Sequence, residues 1–294
     1  MSSTVPQFGI LTLATRNDYL KAIGLALSVR VSNPGVPIAV ACPPNARHLL
    51  EPYFDHVIVE RPGLRGFVHK VYLDHYSPFE ETMFFDSDVL VFKPLQPYVD
   101  VWRKHPYTAT GKMMSTGKSA FGMDRADMLR QLDKKELVVI DGAGHAFFRK
   151  PACAEIFDAA RDVTARHKQI MGDIRYADED VMDYVLTKFG IPPMPKPDFF
   201  SRYISGMPGT VKLDAAKGAC EFVFRDTGVP MRPCMMHFAA NEAPFSYHWQ
   251  LRKLFRAFDV KTDGLLRSAL HDAFERYVKT PLHVWKKRLL ALKR

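Results

Sequence analysis

The sequence predicts an α/β fold: a Rossmann-like, mixed but mostly parallel sheet, flanking helices, and further helices toward the C-terminal end. Two observations predict it. Short apolar runs alternate with segments of helical periodicity through the first 90 or so positions, the rhythm of strand–helix–strand units. The fourth of these runs ends on two acids, in the stretch FFDSDVLVF from Phe84 to Phe92.

FGILTLA (Phe8 to Ala14) reads as a short buried strand. Asn17 or Asp18 suits the cap of a following helix, in which Tyr19, Ala22, Ile23, Ala26 and Leu27 recur at helical spacing. Asn33, Pro34 and Gly35 make a turn, and PIAVAC is the second strand. A helix around Ala46 to Tyr53 leads to the third strand, HVIVE. Phe67 to Tyr76 is a further helix, and TMFF is the fourth strand, ending at Asp86. Carboxylates are costly inside a strand. At its carboxyl end they reach the rim of the sheet, where open α/β sheets bind ligands.

Beyond Pro94, LVVID (Leu137 to Asp141) and AFF (Ala146 to Phe148) read as strands around a Gly142-Ala143-Gly144 bend. Helices are expected over Ala152 to Arg166 and Asp178 to Phe189, then a Pro-rich loop from Pro192 to Pro197. PCMMHF (Pro233 to Phe238) is one more strand, and Leu265 to Val278 an amphipathic helix. No linker divides independent domains. The expected organisation is one domain over 1–260 and a helical basic tail over 261–294.

Composition narrows the function classes. Of 294 residues, 47% are apolar and 25% charged, as in ordinary globular proteins. No apolar run approaches the ~20 residues of a spanning helix, and MSSTVPQ lacks the features of a signal peptide. Cys42, Cys153, Cys220 and Cys234 are scattered with no CxxC pair, which argues against a disulfide framework or structural zinc and for a cytoplasmic setting. The net charge of +9 is concentrated at the end, where Lys286, Lys287, Arg288, Lys293 and Arg294 follow the last acid, Glu275. Elsewhere cations and acids are interspersed, so no nucleic-acid partner is expected.

Residues i and i+2 of an extended chain point the same way. Asp86 and Asp88 therefore aim two carboxylates at one point, with Ser87 turned away. Two hard oxygen donors suit Mg²⁺ or Mn²⁺, with phosphate oxygens completing the shell. Asp178-Glu179-Asp180 is a second DxD triplet, and such triplets also serve as helix caps. No GxGxxG or P-loop occurs, so metal and side chains would neutralise a bound phosphate.

Four blocks appear in order: LATRNDYLKAIGLALSVR, HKVYLDHYSPFEETMFFDSDVLVFKPL, ADEDVM and MHFAANEAPF. Together they resemble the family 8 glycosyltransferases, the group of glycogenin and the bacterial lipopolysaccharide galactosyl- and glucosyltransferases, which have the GT-A fold. The resemblance implies roles position by position. Leu13, Thr15 and Tyr19 match the segment holding the nucleotide base, with the tyrosine ring on uracil. Lys70 matches a lysine that reaches the donor. Asp86 and Asp88, with Ser87 between them, match the metal-binding DxD beside the ribose. Asp178 and Glu179 stand where the family has an Asp-Gln pair beside the sugar, and His237 matches the histidine completing the metal site. A nitrogen donor there favours Mn²⁺.

The departures are informative. The family reads HFxGxxKPW after the histidine, with the lysine on the diphosphate; here Ala240 and Ala243 replace the glycine and the lysine. Arg252 or Lys253 is the expected substitute. The family's Asn-Ser-Gly sugar contact is Gly142-Ala143-Gly144 here, with Asp141 and His145 flanking it as substitutes.

The function expected is metal-dependent transfer of a hexose from a nucleotide sugar, UDP-linked, to a glycan or lipid-linked acceptor with retention. Asp178, Glu179 and Asp141 are the candidate catalytic residues. Leu13, Thr15, Tyr19, Lys70, Asp86, Ser87, Asp88 and His145 are the candidates for holding the donor. Two alternatives compete. One is a haloacid-dehalogenase-type phosphatase with Asp86 as nucleophile and Asp88 as acid/base, in which Gly172-Asp173 with Asp178 imitates the later acidic motif. The other is a decayed, non-catalytic carbohydrate- or membrane-binding protein. Finally, PLHVWKKRLLALKR (Pro281 to Arg294) places Leu282, Trp285, Leu289 and Leu292 on one helical face, with cations elsewhere. That pattern suits peripheral attachment to an anionic membrane surface at its cytoplasmic face.

Overall fold

The computed structural model describes residues 7–15, 18–142, 144–195, 198–261 and 263–282. The cap position Asn17, the centre of the 142–144 bend, the end of the Pro-rich loop and most of the basic tail lie outside them. In chain order the strands are β1 (Phe8–Leu13), β2 (Ile38–Cys42), β3 (His56–Val59), β4 (Glu81–Asp86), β5 (Val89–Val91), β6 (Tyr107–Thr108), β7 (Gly111–Met114), β8 (Leu137–Ile140) and β9 (His145–Arg149). They continue as β10 (Phe200–Arg202), β11 (Lys212–Asp214), β12 (Ala219–Val223), β13 (Pro230–Met231) and β14 (Met235–His237).

The chain forms two compact units, and each draws on several separate segments. The first comprises 1–22, 35–87 and 95–197; the second comprises 23–34, 88–94 and 198–294. Because the path passes from one to the other five times, no single linker marks the division.

The first unit is built on a six-stranded sheet in the order β3-β2-β1-β4-β9-β6. β1 pairs in parallel with both β2 and β4, and β2 with β3, while β9 runs antiparallel to β4 and to β6. β1 and β2 are buried almost throughout, which is why their sequences are apolar on both faces. Phe84, Phe148, Phe157, Val181 and Val185 belong to one core, shared between the sheet and the helices Ala154–Ala165 and Asp178–Phe189. Two expected helices are shorter or tighter than the sequence suggests. The segment after β2 is a 3-10 turn with one α-helical turn, Arg47–Leu50. The segment before β4 is a 3-10 stretch, Gly66–Tyr72, followed by Leu73–Tyr76.

The second unit holds a three-stranded sheet, β10-β14-β5, and a second one, β11-β12-β13. The helix Pro244–Ala257 buries Tyr247, Leu251, Leu254 and Phe255. The helix Leu265–Phe274 buries Leu265 and Ala269 and runs on into a π-helical turn to Lys279. All four cysteines are buried. Among the described residues no helix is long and apolar enough to cross a membrane.

Candidate active site

In the first unit the carboxyl ends of the two central parallel strands are in register, Leu13 opposite Asp86. Asp86 closes β4, and its backbone N–H donates to the carbonyl of Gly144 at 2.9 Å. Lys70, from the 3-10 stretch ahead of the strand, sets its ammonium 3.0 Å from each carboxylate oxygen of Asp86. The same ammonium is 3.1 Å from Asp178 Oδ2. Burial alone would lower the Lys70 pKa, but Asp178 and Asp86 outweigh it and hold the ammonium above its ordinary value. One buried cation thus joins two acids that are 92 positions apart in the chain.

Asp178 opens the helix Asp178–Phe189, with Glu179 and Asp180 in the same first turn. Acids are favoured there by the helix dipole. Asp180 accepts from Ser119 Oγ at 2.9 Å, and burial raises its carboxyl pKa. One turn on, Asp183 accepts from the Ile140 N–H at 2.8 Å, and burial lifts its pKa well above the carboxylate range. Glu179 is half-buried beside the 142–144 bend: a Cβ on Gly142 would sit 3.8 Å from its Oε2. Gly142 has φ +64°, which suits glycine. Asp141, at the end of β8, is half-buried and its N–H donates to the Thr110 carbonyl at 2.8 Å. Thr15, Tyr19 and Ser87 are half-buried.

His145 is placed differently from the expectation. It is buried as the first residue of β9, with Nε2 2.8 Å from Thr110 Oγ1 and accepting from the Thr110 N–H at 3.2 Å. That ring is engaged within the sheet layer. The acidic motif imitated by Gly172-Asp173 is not assembled either, because Asp173 is 90% exposed and pairs with Lys168 at 3.2 Å.

In the second unit, His237 Nε2 lies 3.1 Å from Asp88 Oδ1. β5 and β14 run antiparallel with His237 opposite Val89, and the Phe238 N–H donates to the Asp88 carbonyl at 3.1 Å. His237 is buried and Asp88 half-buried. Asp88 follows Asp86 by two positions, through the turn at Ser87. Two carboxylates and an imidazole offer an O,O,N donor set, the one group of this kind that could hold a metal among the described residues. The donor chemistry fits a borderline-hard divalent ion such as Mn²⁺.

Sequence reasoning placed Asp180 only in a DxD triplet that could be a helix cap, and passed over Asp183 and the ion pair between Arg202 and Glu242 in the second unit. Asp180 and Asp183 look like a cap and a solvated helix position in a linear reading. The Arg202–Glu242 pair depends on a strand register that no local pattern announces.

No protein-family model matches the chain, and no curated protein matches it. Solved structures do. The galactosyltransferase LgtC, in complex with donor and acceptor sugar analogues, matches with a TM-score of 0.54 at 14% identity, over 86% of this chain and 96% of LgtC. An active-site mutant of LgtC gives 0.54 at 16% identity, over 89% and 99% of the two chains. The apo WbbM bifunctional glycosyltransferase gives 0.53 at 11% identity over 90% of this chain, which spans 53% of WbbM. The fold is therefore that of the GT-A glycosyltransferases, and the phosphatase alternative is not favoured.

Proposed function

We propose that the protein is a metal-dependent glycosyltransferase that moves a hexose from a UDP-linked sugar to a glycan or lipid-linked acceptor with retention. The observation that carries the proposal is the cluster of Lys70, Asp86 and Asp178 at the carboxyl end of β4. There the acids and the lysine stand at the ligand-binding rim of the sheet. Asp86, Asp88 and His237 would hold Mn²⁺ or Mg²⁺, and the ion, when bound, supplies positive charge to the leaving diphosphate. Lys70 adds a fixed cation, and Asp178 holds that cation in place. Glu179 and Asp141 face the donor hexose, Leu13 and Thr15 border the base, and Tyr19 stacks on it.

Further support comes from the C-terminal helices for the expected membrane contact of 281–294. Leu266 and Leu270 are 73% and 55% exposed, Phe274 is 54% exposed, and they recur every fourth residue just ahead of the basic tail. Full-length protein should bind anionic but not neutral vesicles and lose that binding when the chain ends at Thr280. Equal binding after truncation would make the tail structural and leave a membrane-borne acceptor without support.

Calorimetry of UDP with and without Mn²⁺ tests the central proposal. UDP should bind in the presence of Mn²⁺, weaken on adding EDTA, and weaken equally in Asp88→Asn, whose amide keeps the shape and loses the ligand charge. UDP affinity indifferent to both changes would overturn the metal assignment, and no affinity for any nucleoside diphosphate would overturn the proposed donor.

A further inference from the structure

We infer that Arg202 is a catalytic residue that grips the leaving diphosphate, in the role left open by the alanine at position 243. The inference rests on the proposed nucleotide-sugar donor. In such a transfer the bond between the anomeric carbon and the β-phosphate oxygen breaks, and its electron pair stays on that oxygen. The acceptor hydroxyl oxygen forms the new bond to the anomeric carbon and passes its proton to the departing diphosphate oxygen. Charge builds on the diphosphate, so a positioned cation there lowers the barrier.

The two cations expected from sequence are committed elsewhere in the second unit. Lys253 Nζ is 3.3 Å from Asp214 Oδ2 and donates to the Leu213 carbonyl at 3.5 Å. The Arg252 guanidinium lies over the Trp249 ring, 5.6 Å from its centroid. Ala243 itself is held at φ 46° at the start of the helix Pro244–Ala257.

Arg202 stands beside the histidine. β10 and β14 are parallel neighbours with Arg202 opposite His237, and residues in register on adjacent strands share a face about 5 Å apart. The ring of Phe200, two residues before Arg202 and so on the same face, is centred 6.2 Å from that of His237. Glu242, whose side chain is 1% exposed, accepts from Arg202 Nη2 and also from the Ile204 N–H at 3.3 Å. The arginine side chain stays 43% exposed, while its Nε is buried and has no hydrogen-bond partner among the described residues. A guanidinium held through Nη2, on a side chain left partly open to solvent, keeps N–H donors for a phosphate oxygen.

The test compares wild type, Arg202→Ala and Arg202→Lys, all full-length, by calorimetry with UDP and with UMP in the presence of Mn²⁺. Arg202→Ala should lose at least tenfold in UDP affinity while UMP affinity changes less than threefold, and Arg202→Lys should recover part of the UDP loss. Circular dichroism reports whether each variant folds. If the alanine variant does not, the lysine variant carries the test, with UDP weakened and UMP unchanged. Unchanged UDP affinity, or equal losses for UDP and UMP, would reduce Arg202 to a partner of Glu242 and overturn the inference while the donor assignment stands. A wild type that binds neither nucleotide would bring down the donor assignment and the inference together.

Discussion

Lys70 Nζ lies equidistant, at 3.0 Å, from both carboxylate oxygens of Asp86. Asp178 Oδ2 lies 3.1 Å from the same ammonium, so one cation neutralises two largely buried carboxylates. Removing one member of a buried ion pair leaves its partner uncompensated at a cost of about 3–5 kcal/mol. Lys70→Met should therefore lower unfolding stability at pH 7 by roughly that amount. Since the folded pKa of Lys70 is raised, its contribution is fully present below the ordinary lysine value and is lost only as pH rises through the higher folded one. Urea titration at pH 7 checks this; a loss under about 1 kcal/mol, the value of an exposed pair, would show that the cluster is solvated.

Tyr19 begins the helix that follows β1 and is half-buried. If its ring carries the base, Tyr19→Ala should weaken UDP binding by about 1–3 kcal/mol, the size of one lost base–aromatic contact, with the melting temperature little changed. Equal UDP affinity in the two proteins would return the ring to a packing role.

Gly111 makes a close approach between strands. A Cβ there would stand 2.2 Å from the Val139 carbonyl oxygen and 2.9 Å from the Ile140 Cα, both backbone atoms of the paired strand β8. Gly111→Ala should destabilise by about 1–3 kcal/mol, as overpacking does. Because β8 ends one residue before Asp141, kcat should fall as well. A variant with wild-type stability would mean that β7 shifts freely on β8.

The buried Asp183 gives a pH signature. A carboxyl whose folded pKa is raised contributes most below its unfolded value of about 3.9, and the contribution fades as pH climbs through the folded value. Asp183→Asn keeps an acceptor for the Ile140 N–H and cannot ionise. Its stability relative to wild type should thus improve from pH 4 to pH 8, by about 1.4 kcal/mol for each unit of upward shift. A difference independent of pH would contradict the upward shift that burial imposes on this carboxyl.

The central strands and their helices were legible because burial on both faces writes an unbroken apolar run, as in IAVAC at Ile38–Cys42. The helix Asp178–Phe189 was legible to the residue, and in the structure an acidic first turn and a left-handed Gly190 mark its two ends. The placement of Asp86 at the strand end followed from the same patterning. What could not be read were pairings across long sequence gaps. Nothing local in FFSR says that Arg202 lies opposite His237, because that depends on the register of two three-residue strands. Short strands such as Lys212–Asp214 and Pro230–Met231 are partly exposed and mixed in polarity, so they carry no period of two. His145 shows the converse: its position beside a glycine bend suggested a ligand contact, and only the structure reveals the Thr110 hydroxyl that occupies its ring.

The burial of every cysteine has a practical side for spectroscopy. Burial pushes the thiols of Cys42 and Cys153 up to about 11, and those of Cys220 and Cys234 up to about 12. Maleimides attack the thiolate, and thiols held apart from water in apolar surroundings are nearly inert to them. A cysteine introduced at an exposed position such as Leu266 would then be the one rapidly labelled atom in the chain, with no need to strip out the native four. Fluorescent or spin probes could report nucleotide and vesicle binding on the otherwise unaltered sequence.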